Sequence, residues 1–144
     1  MSFIFTDLIS YLKNNKSIVV ATVNKHNTPD LRTIGGYHFD GITLYFTTDK
    51  SSSKVEQIAH NDEVAVLVQH ENQVLPDFLN ITLYGKAKQL AGADYDVAKH
   101  NILEGRPKVK YLDDSKNIYQ VRPNVIKILD LSKKQGEQVR IIKP

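Results

Sequence analysis

At 144 residues, 41% of them hydrophobic, the chain has the material for one ordinary domain whose core removes roughly two-thirds of the unfolded surface from water. Its 19 basic and 16 acidic side chains leave a net charge of +3 and a pI near 9.0, too small and too scattered a surplus to mark a nucleic-acid footprint, which needs a patch. With no cysteine there are no disulfides, thiolate metal sites or cysteine nucleophiles, and no apolar run approaches the roughly 18 residues of a membrane helix or makes MSFIFTDLISYLKNN a signal peptide; a cytoplasmic protein is expected.

In chain order, Phe3 to Asn14 carries Ile4, Leu8 and Leu12 at helical spacing, with Phe5 and Ile9 beside them, which predicts an amphipathic helix of about three turns. Ser17 to Asn24 (SIVVATVN) reads as a strand apolar on both faces, central in its sheet, and Lys25 to Thr28 as a turn. Pro29 to Phe39 is a second extended segment, and Asp40-Gly41 is a two-residue hairpin signal. Ile42 to Thr47 alternates, with Ile42, Leu44 and Phe46 against Thr43, Tyr45 and Thr47. After a loop at Thr48 to Ser52, Ser53 and Glu56 fit a capping box for a short helix ending near His60, where Asn61-Asp62 stops it.

Glu63 to Gln69 is another buried strand and His70 to Phe78 a polar loop. Leu79 to Leu90 is a long strand, with Ile81 and Leu83 on one side and Asn80, Thr82 and Tyr84 on the other. Ala93 to Glu104 is a helix with Tyr95, Ala98 and Ile102 as its buried stripe, closed by a C-cap glycine at Gly105 and by Pro107. No regular pattern runs through Arg106 to Arg122. Val125 to Leu131 is a last strand, and VRII at 139–142 is a short strand or a partner contact. Helix, three strands, short helix, two strands, helix and strand make an α+β protein, mainly β, on a small antiparallel barrel.

Functional chemistry concentrates in Leu31 to Lys54. Arg32 sits on an extended segment, where a guanidinium suits bidentate phosphate binding or simply faces solvent. Gly35 and Gly36 weaken a strand unless the chain bends there or a flat ring approaches its backbone. Thr48, Ser51, Ser52 and Ser53 place hydroxyls before Lys54 at a helix start, where free N–H groups and the dipole favour an anion; the alternative is one capping serine and loop filler. No Walker or dinucleotide fingerprint occurs. The five histidines (26, 38, 60, 70 and 100) form no zinc-enzyme pattern; His38 is the one nearest the glycines and a candidate proton donor. Lys108, Lys110 and Tyr111 form a minor basic group, most simply a solvated loop.

In order, IVVATV, LRTIGG, LYFTT, SSSKVEQI, NDEVAVLV and YGKAKQL resemble the FMN-binding split-barrel family of pyridoxamine 5'-phosphate oxidase-like proteins, over roughly Ser17 to Leu90 and more loosely VIKILDL. The resemblance implies an antiparallel split β-barrel with a few peripheral helices, one domain over residues 1–144, and a homodimer with FMN at the subunit interface. By position, Arg32 and Lys54 would hold the FMN phosphate, with Thr48 and Ser52 adding hydroxyl contacts and Thr47 and Ser53 also at the cofactor. The segment Thr33 to Tyr37, with Ile34, Gly35 and Gly36, would run along the ring. Asn80 falls where the family often has a glutamine near the ring. Ser53 replaces a common arginine, and the chain has no tryptophan and a different tail from the vitamin B6 oxidases. It therefore resembles a short, general-stress-protein-like member: an FMN-dependent oxidoreductase of an unidentified small molecule, with no metal, nucleic acid or membrane. The rival readings are a non-catalytic flavin- or haem-binding module and, on pI alone, a small nucleic-acid-binding barrel.

Overall fold

The structure, a computed structural model, describes residues 5–106 and 115–144, the side chains of residues 5 and 6 excepted. The elements are α1 (Phe5–Lys13), β1 (Ile18–Val23), β2 (Pro29–Ile34), β3 (Tyr37–Asp40), β4 (Thr43–Asp49), α2 (Ser53–His60), β5 (Glu63–Gln69), β6 (Leu79–Gln89), α3 (Gly92–Gly105), β7 (Lys116–Asp130) and β8 (Val139–Ile142). The strands form one antiparallel sheet in the order β2-β1-β5-β6-β7-β4-β3, with β8 also paired to β7. Four strands separate β2 from β4 in that order, yet the two touch, so the sheet curls into a half-barrel. The fold is the expected antiparallel split barrel with peripheral helices.

Strand alternation builds the core. Val20, Leu44, Phe46, Val66, Val68, Ile81, Leu83, Val121 and Ile126 point inward and are fully buried, with Phe46 stacked on Tyr119. Leu8 and Leu12 of α1 plug the same core, each burial worth about 1.5–3 kcal/mol. β1 lies inside the sheet as expected, but its second face, Val19, Ala21 and Val23, is half-buried. Phe3, Ile4 and the side chain of Phe5 lie outside the described residues.

Several boundaries differ from the sequence reading. Pro29 to Phe39 is two strands, because the chain breaks at Gly35-Gly36, where the Gly36 carbonyl accepts from Thr47 N at 2.9 Å. A Cβ on Gly36 would lie 2.4 Å from Thr47 Oγ1, so this glycine permits strand contact. The hairpin turn is Gly41-Ile42, one residue later than expected: Asp40 pairs with Thr43, and Gly41 takes φ +60°. Ser52, not Ser53, caps α2. Its hydroxyl accepts from Lys54 N at 3.1 Å, which removes the Ser53/Glu56 capping box.

The largest correction is β7, which begins at Lys116 and takes in Lys116 to Arg122 of the unpatterned segment. Its burial alternates from Tyr119 to Asn124 and breaks between Asn124 and Val125, where the register with β6 slips between Tyr84 and Gly85. Pro123 is tolerated because a bulge needs no ladder donor at that point. α3 starts at Gly92 and keeps Gly105 inside the helix without a left-handed φ, so Gly105 is no C-cap glycine; Arg106 is the cap residue. Pro107, Lys108, Lys110 and Tyr111 lie outside the described residues. Ala98 and Ile102 are buried as expected, while Tyr95 is half-buried and donates to Lys116 O. VRII is indeed a strand.

Arg106 fastens the barrel's end. Its guanidinium donates to the carbonyls of Tyr37 at 2.9 Å, Lys16 at 3.0 Å and Asn15 at 2.5 Å, and lies 3.7 Å over the Tyr37 ring.

The bulge yields a stability prediction. A Cβ at Gly85 would meet Arg122 O at 2.8 Å and Val121 Cγ1 at 3.2 Å, with backbone on one side that cannot swing away. Gly85→Ala is expected to cost about 1–3 kcal/mol and lower the melting temperature by roughly 2–4 °C per kcal/mol in a thermal unfolding scan. An unchanged melting point would show that the bulge relaxes.

Candidate functional site

Arg32 lies opposite Val20 in the β1–β2 ladder, on the side of the sheet that faces the core. Its side chain is 16% exposed, so its charge is largely withdrawn from water and must find partners. Burial lowers its pKa, and the Asp30 carboxylate opposes that shift. The partners form a closed circuit. Arg32 Nη1 donates to Thr22 Oγ1 at 2.5 Å, and Nη2 donates to Gln57 Oε1 at 3.2 Å and Asp30 Oδ2 at 3.0 Å. The Thr22 hydroxyl donates to Gln57 Oε1, and Gln57 Nε2 donates to Asp30 Oδ2 at 3.3 Å.

Gln57 comes from α2, which also delivers Lys54. That ammonium forms no ion pair or side-chain hydrogen bond among the described residues. Its pKa is lowered, first by burial and then by the positive charge of Arg32, with Asp49 opposing and Lys116 adding to the shift. Two cations from opposite ends of the strand order are thus within electrostatic reach of each other. One is bound into side chains; the other has no counter-ion among the described residues. The start of α2, whose dipole favours an anion, lies in the same region, although Ser52 already takes the Lys54 and Val55 N–H groups.

Of the residues singled out in sequence, the fold therefore brings Arg32, Ser52, Ser53 and Lys54 to one place. Ser53 is exposed, while the Ser52 hydroxyl is used as the cap. Thr47 is half-buried and donates to Gly36 O at 3.3 Å. Thr48, at the end of β4, is 5% exposed, and its hydroxyl has no partner among the described residues. Thr33 and Gly35 are exposed, and a Cβ on Gly35 would meet nothing within 4 Å, so the main chain is approachable there. Ile34 is buried and its side chain belongs to the core.

Two residues stand apart. Asn80 is half-buried on β6, opposite Gln69 and Leu129, with β5 and β1 between it and β2. His38 pairs with Tyr45 and lines a separate cleft of about 200 Å³ with Lys13, Phe39 and Arg106; burial lowers its pKa, so the ring favours its neutral form.

Sequence reasoning missed Thr22, Asp30 and Gln57. Thr22 carried a signal, being the polar residue on the buried face of an otherwise apolar strand. Gln57 and Asp30 carried none, because their partners are tertiary. Gln57 and Ser53 also line a cleft of about 390 Å³ whose other wall is Lys25 and His26 of the β1–β2 turn.

A cation pair with one uncompensated member, beside a capped helix start and an open glycine backbone, fits a phosphate-bearing ligand with a flat ring. Comparisons with known proteins identify the family and the fold. The sequence profile described as pyridoxamine 5'-phosphate oxidase matches residues 8–128. No curated protein matches the sequence. Among solved structures, the fold is similar to a heme binding protein from Mycobacterium smegmatis (TM-score 0.82, 11% identity) over 99% of this chain; the chain spans 59% of that protein's length. It is similar to the General Stress Protein 26 from Bacillus anthracis str. Sterne (TM-score 0.76, 18% identity, 99% of this chain and 100% of that one). It is likewise similar to a putative pyridoxamine 5'-phosphate oxidase from Listeria innocua (TM-score 0.71, 22% identity, 88% and 98%).

The strained lysine makes a testable trade. A lysine whose folded pKa is lowered holds fewer protons folded than unfolded, so its charge opposes folding at neutral pH. That penalty fades as pH rises through the folded pKa toward the ordinary 10.5. Lys54→Met is expected to raise the melting temperature by about 1–3 °C at pH 7 and to flatten the alkaline rise in stability, read by thermal scans across pH. A loss of stability at pH 7 would show that Lys54 has a partner in the folded protein.

Proposed function

The chain belongs to the pyridoxamine 5'-phosphate oxidase family, and on that premise we propose that it is an FMN-binding flavoprotein, an FMN-dependent oxidoreductase of a small molecule. The observation that carries the reading is the convergence of Arg32 and Lys54, the second without a counter-ion among the described residues, at the start of α2. Bound FMN supplies the redox chemistry, which leaves the protein the tasks of placement and electrostatics.

In this reading Arg32 and Lys54 grip the phosphate. Arg32 is pre-oriented by Thr22 and Gln57, which hold its guanidinium before any ligand arrives. The exposed Ser53 hydroxyl supplies a neutral donor, and the start of α2 adds its dipole. Thr33, Gly35 and Gly36 would flank the ring along their backbone, with Thr47 and Thr48 at the adjoining strand end. Ile34 would support the ring from within the core, while Asn80 on β6, separated from β2 by two strands, is left without a role in this site.

A homodimer with FMN at the interface is supported by the sheet's outer face. Val19, Ala21 and Leu67 are half-buried there, and Leu31 is 68%, Tyr84 37% and Ile141 51% exposed. Such a face is costly in water and suits a second copy of the chain. The second reading, a flavin or haem carrier without turnover, is favoured by the likeness to the M. smegmatis heme binding protein.

Two measurements test these readings. Purified protein mixed with FMN is expected to retain it through gel filtration with a flavin spectrum, and NADH or NADPH is expected to bleach that spectrum. Arg32→Ala with Lys54→Ala should weaken FMN binding by about 100-fold or more, two charge-assisted contacts at about 1.5–3 kcal/mol each. A haem spectrum with no flavin uptake would select the carrier reading. For the dimer, Leu31→Asp with Ile141→Asp is expected to halve the mass seen in sedimentation equilibrium. A wild-type chain that sediments as a monomer would refute it.

A further inference from the structure

We infer that Asp30 is an affinity-determining residue of the phosphate site, a carboxylate seated on the donors of Arg32 and Gln57 that an incoming phosphate must displace. The inference rests on the phosphate reading of Arg32 and Lys54 and adds a residue that neither sequence nor family profile pointed to. Asp30 Oδ2 accepts from Arg32 Nη2 at 3.0 Å and from Gln57 Nε2 at 3.3 Å, so one oxygen takes both donors that Arg32 and Gln57 turn outward. The remaining polar atoms of the circuit face each other: Arg32 Nη1 is on Thr22 Oγ1, and Gln57 Oε1 accepts from Thr22 and Arg32.

The two ends of the circuit differ in mobility. Thr22 is fully buried on β1, whereas the Asp30 side chain is 49% exposed on β2, with open water to turn into. Asp30 is thus the member that can leave while Thr22 and Gln57 keep the guanidinium in place. Lys54 senses Asp30 but forms no ion pair with it, so the carboxylate compensates one of the two cations.

Displacing Asp30 costs the same whichever anion does it. The cost is therefore a common offset, which lowers the affinity of every anion and leaves their ranking to Arg32 and Lys54. A ligand with one negative charge replaces one ionic partner of Arg32 by another and gains little. A phosphate monoester, carrying about −1.5 to −2 charges at pH 7 and three acceptor oxygens, satisfies Arg32 and Lys54 together and so can outweigh the cost. Riboflavin, which lacks that group, leaves Asp30 in place and escapes the cost.

Flavin titrations of the wild-type chain and of Asp30→Asn, followed by fluorescence quenching with FMN and with riboflavin, test this. An ion pair of about 1 kcal/mol corresponds to about fivefold in affinity. FMN is expected to bind Asp30→Asn about fivefold more tightly, with riboflavin unchanged, and Asp30→Ser should repeat the gain. Equal FMN affinity in wild type and both variants overturns the inference while leaving the flavin site intact. An equal gain for riboflavin also overturns it, by showing that the substitution acts on the ring or the fold. FMN binding to none of the three chains overturns the flavin reading and the inference together.

Discussion

Closure of the sheet is the constraint on which everything else depends, and β7 is the strand that achieves it. Lys116–Asp130 pairs with β6 along one edge, and with β4 and β8 in succession along the other. It thereby joins the β2-β1-β5-β6 half of the sheet to the β4-β3 half. Without that junction Arg32 and Lys54 would sit at remote ends of an open sheet. With it, β2 meets β4, α2 lies against β1, and the two cations share one electrostatic environment. The bulge at Gly85 and Pro123 is part of the same device, since an extra residue on a long strand bends it and increases its twist.

Much of the barrel was legible because its strands are patterned. β1, β4, β5 and β6 bury alternate residues, and the helices that follow β4 and β6 sit where capping and periodicity put them, to within a residue or two. β7 was not legible over its first half, because the alternation that a strand reading needs breaks between Asn124 and Val125 and the explanation, Gly85, lies across the sheet. The cap on α2 slipped by one because adjacent serines offer the same chemistry and only backbone geometry chooses between them. At the site, Arg32 and Lys54 could be read from charge and placement. Their supporting circuit could not, as Thr22, Asp30 and Gln57 become a unit through tertiary contact alone. Nor could sequence tell that Ile34 turns inward and Thr48 is sealed by its strand.

Two arginines, Arg106 and Arg32, solve the same desolvation problem in different ways. Arg106 is met by three backbone carbonyls and an aromatic face, acceptors fixed by the fold itself. Nothing about that arrangement can exchange partners without unfolding the barrel's end. Arg32 is met by a hydroxyl, an amide and a carboxylate, all of them side chains, one of them half-exposed. A guanidinium held by backbone is a rivet; one held by side chains can change its anion. That contrast is a physical reason to place chemistry at Arg32 and architecture at Arg106.

The curl of the sheet also has a kinetic meaning. The contact between β2 and β4, and that between α2 and β1, are made by segments that can meet only after β5, β6 and β7 have paired in turn, and such non-local pairing is the slow part of building a β protein. The cation pair accordingly exists only where that closure holds. An anion that bridges Arg32 and Lys54 would be a staple across the seam of the barrel, and by mass action it would stabilise the closed state.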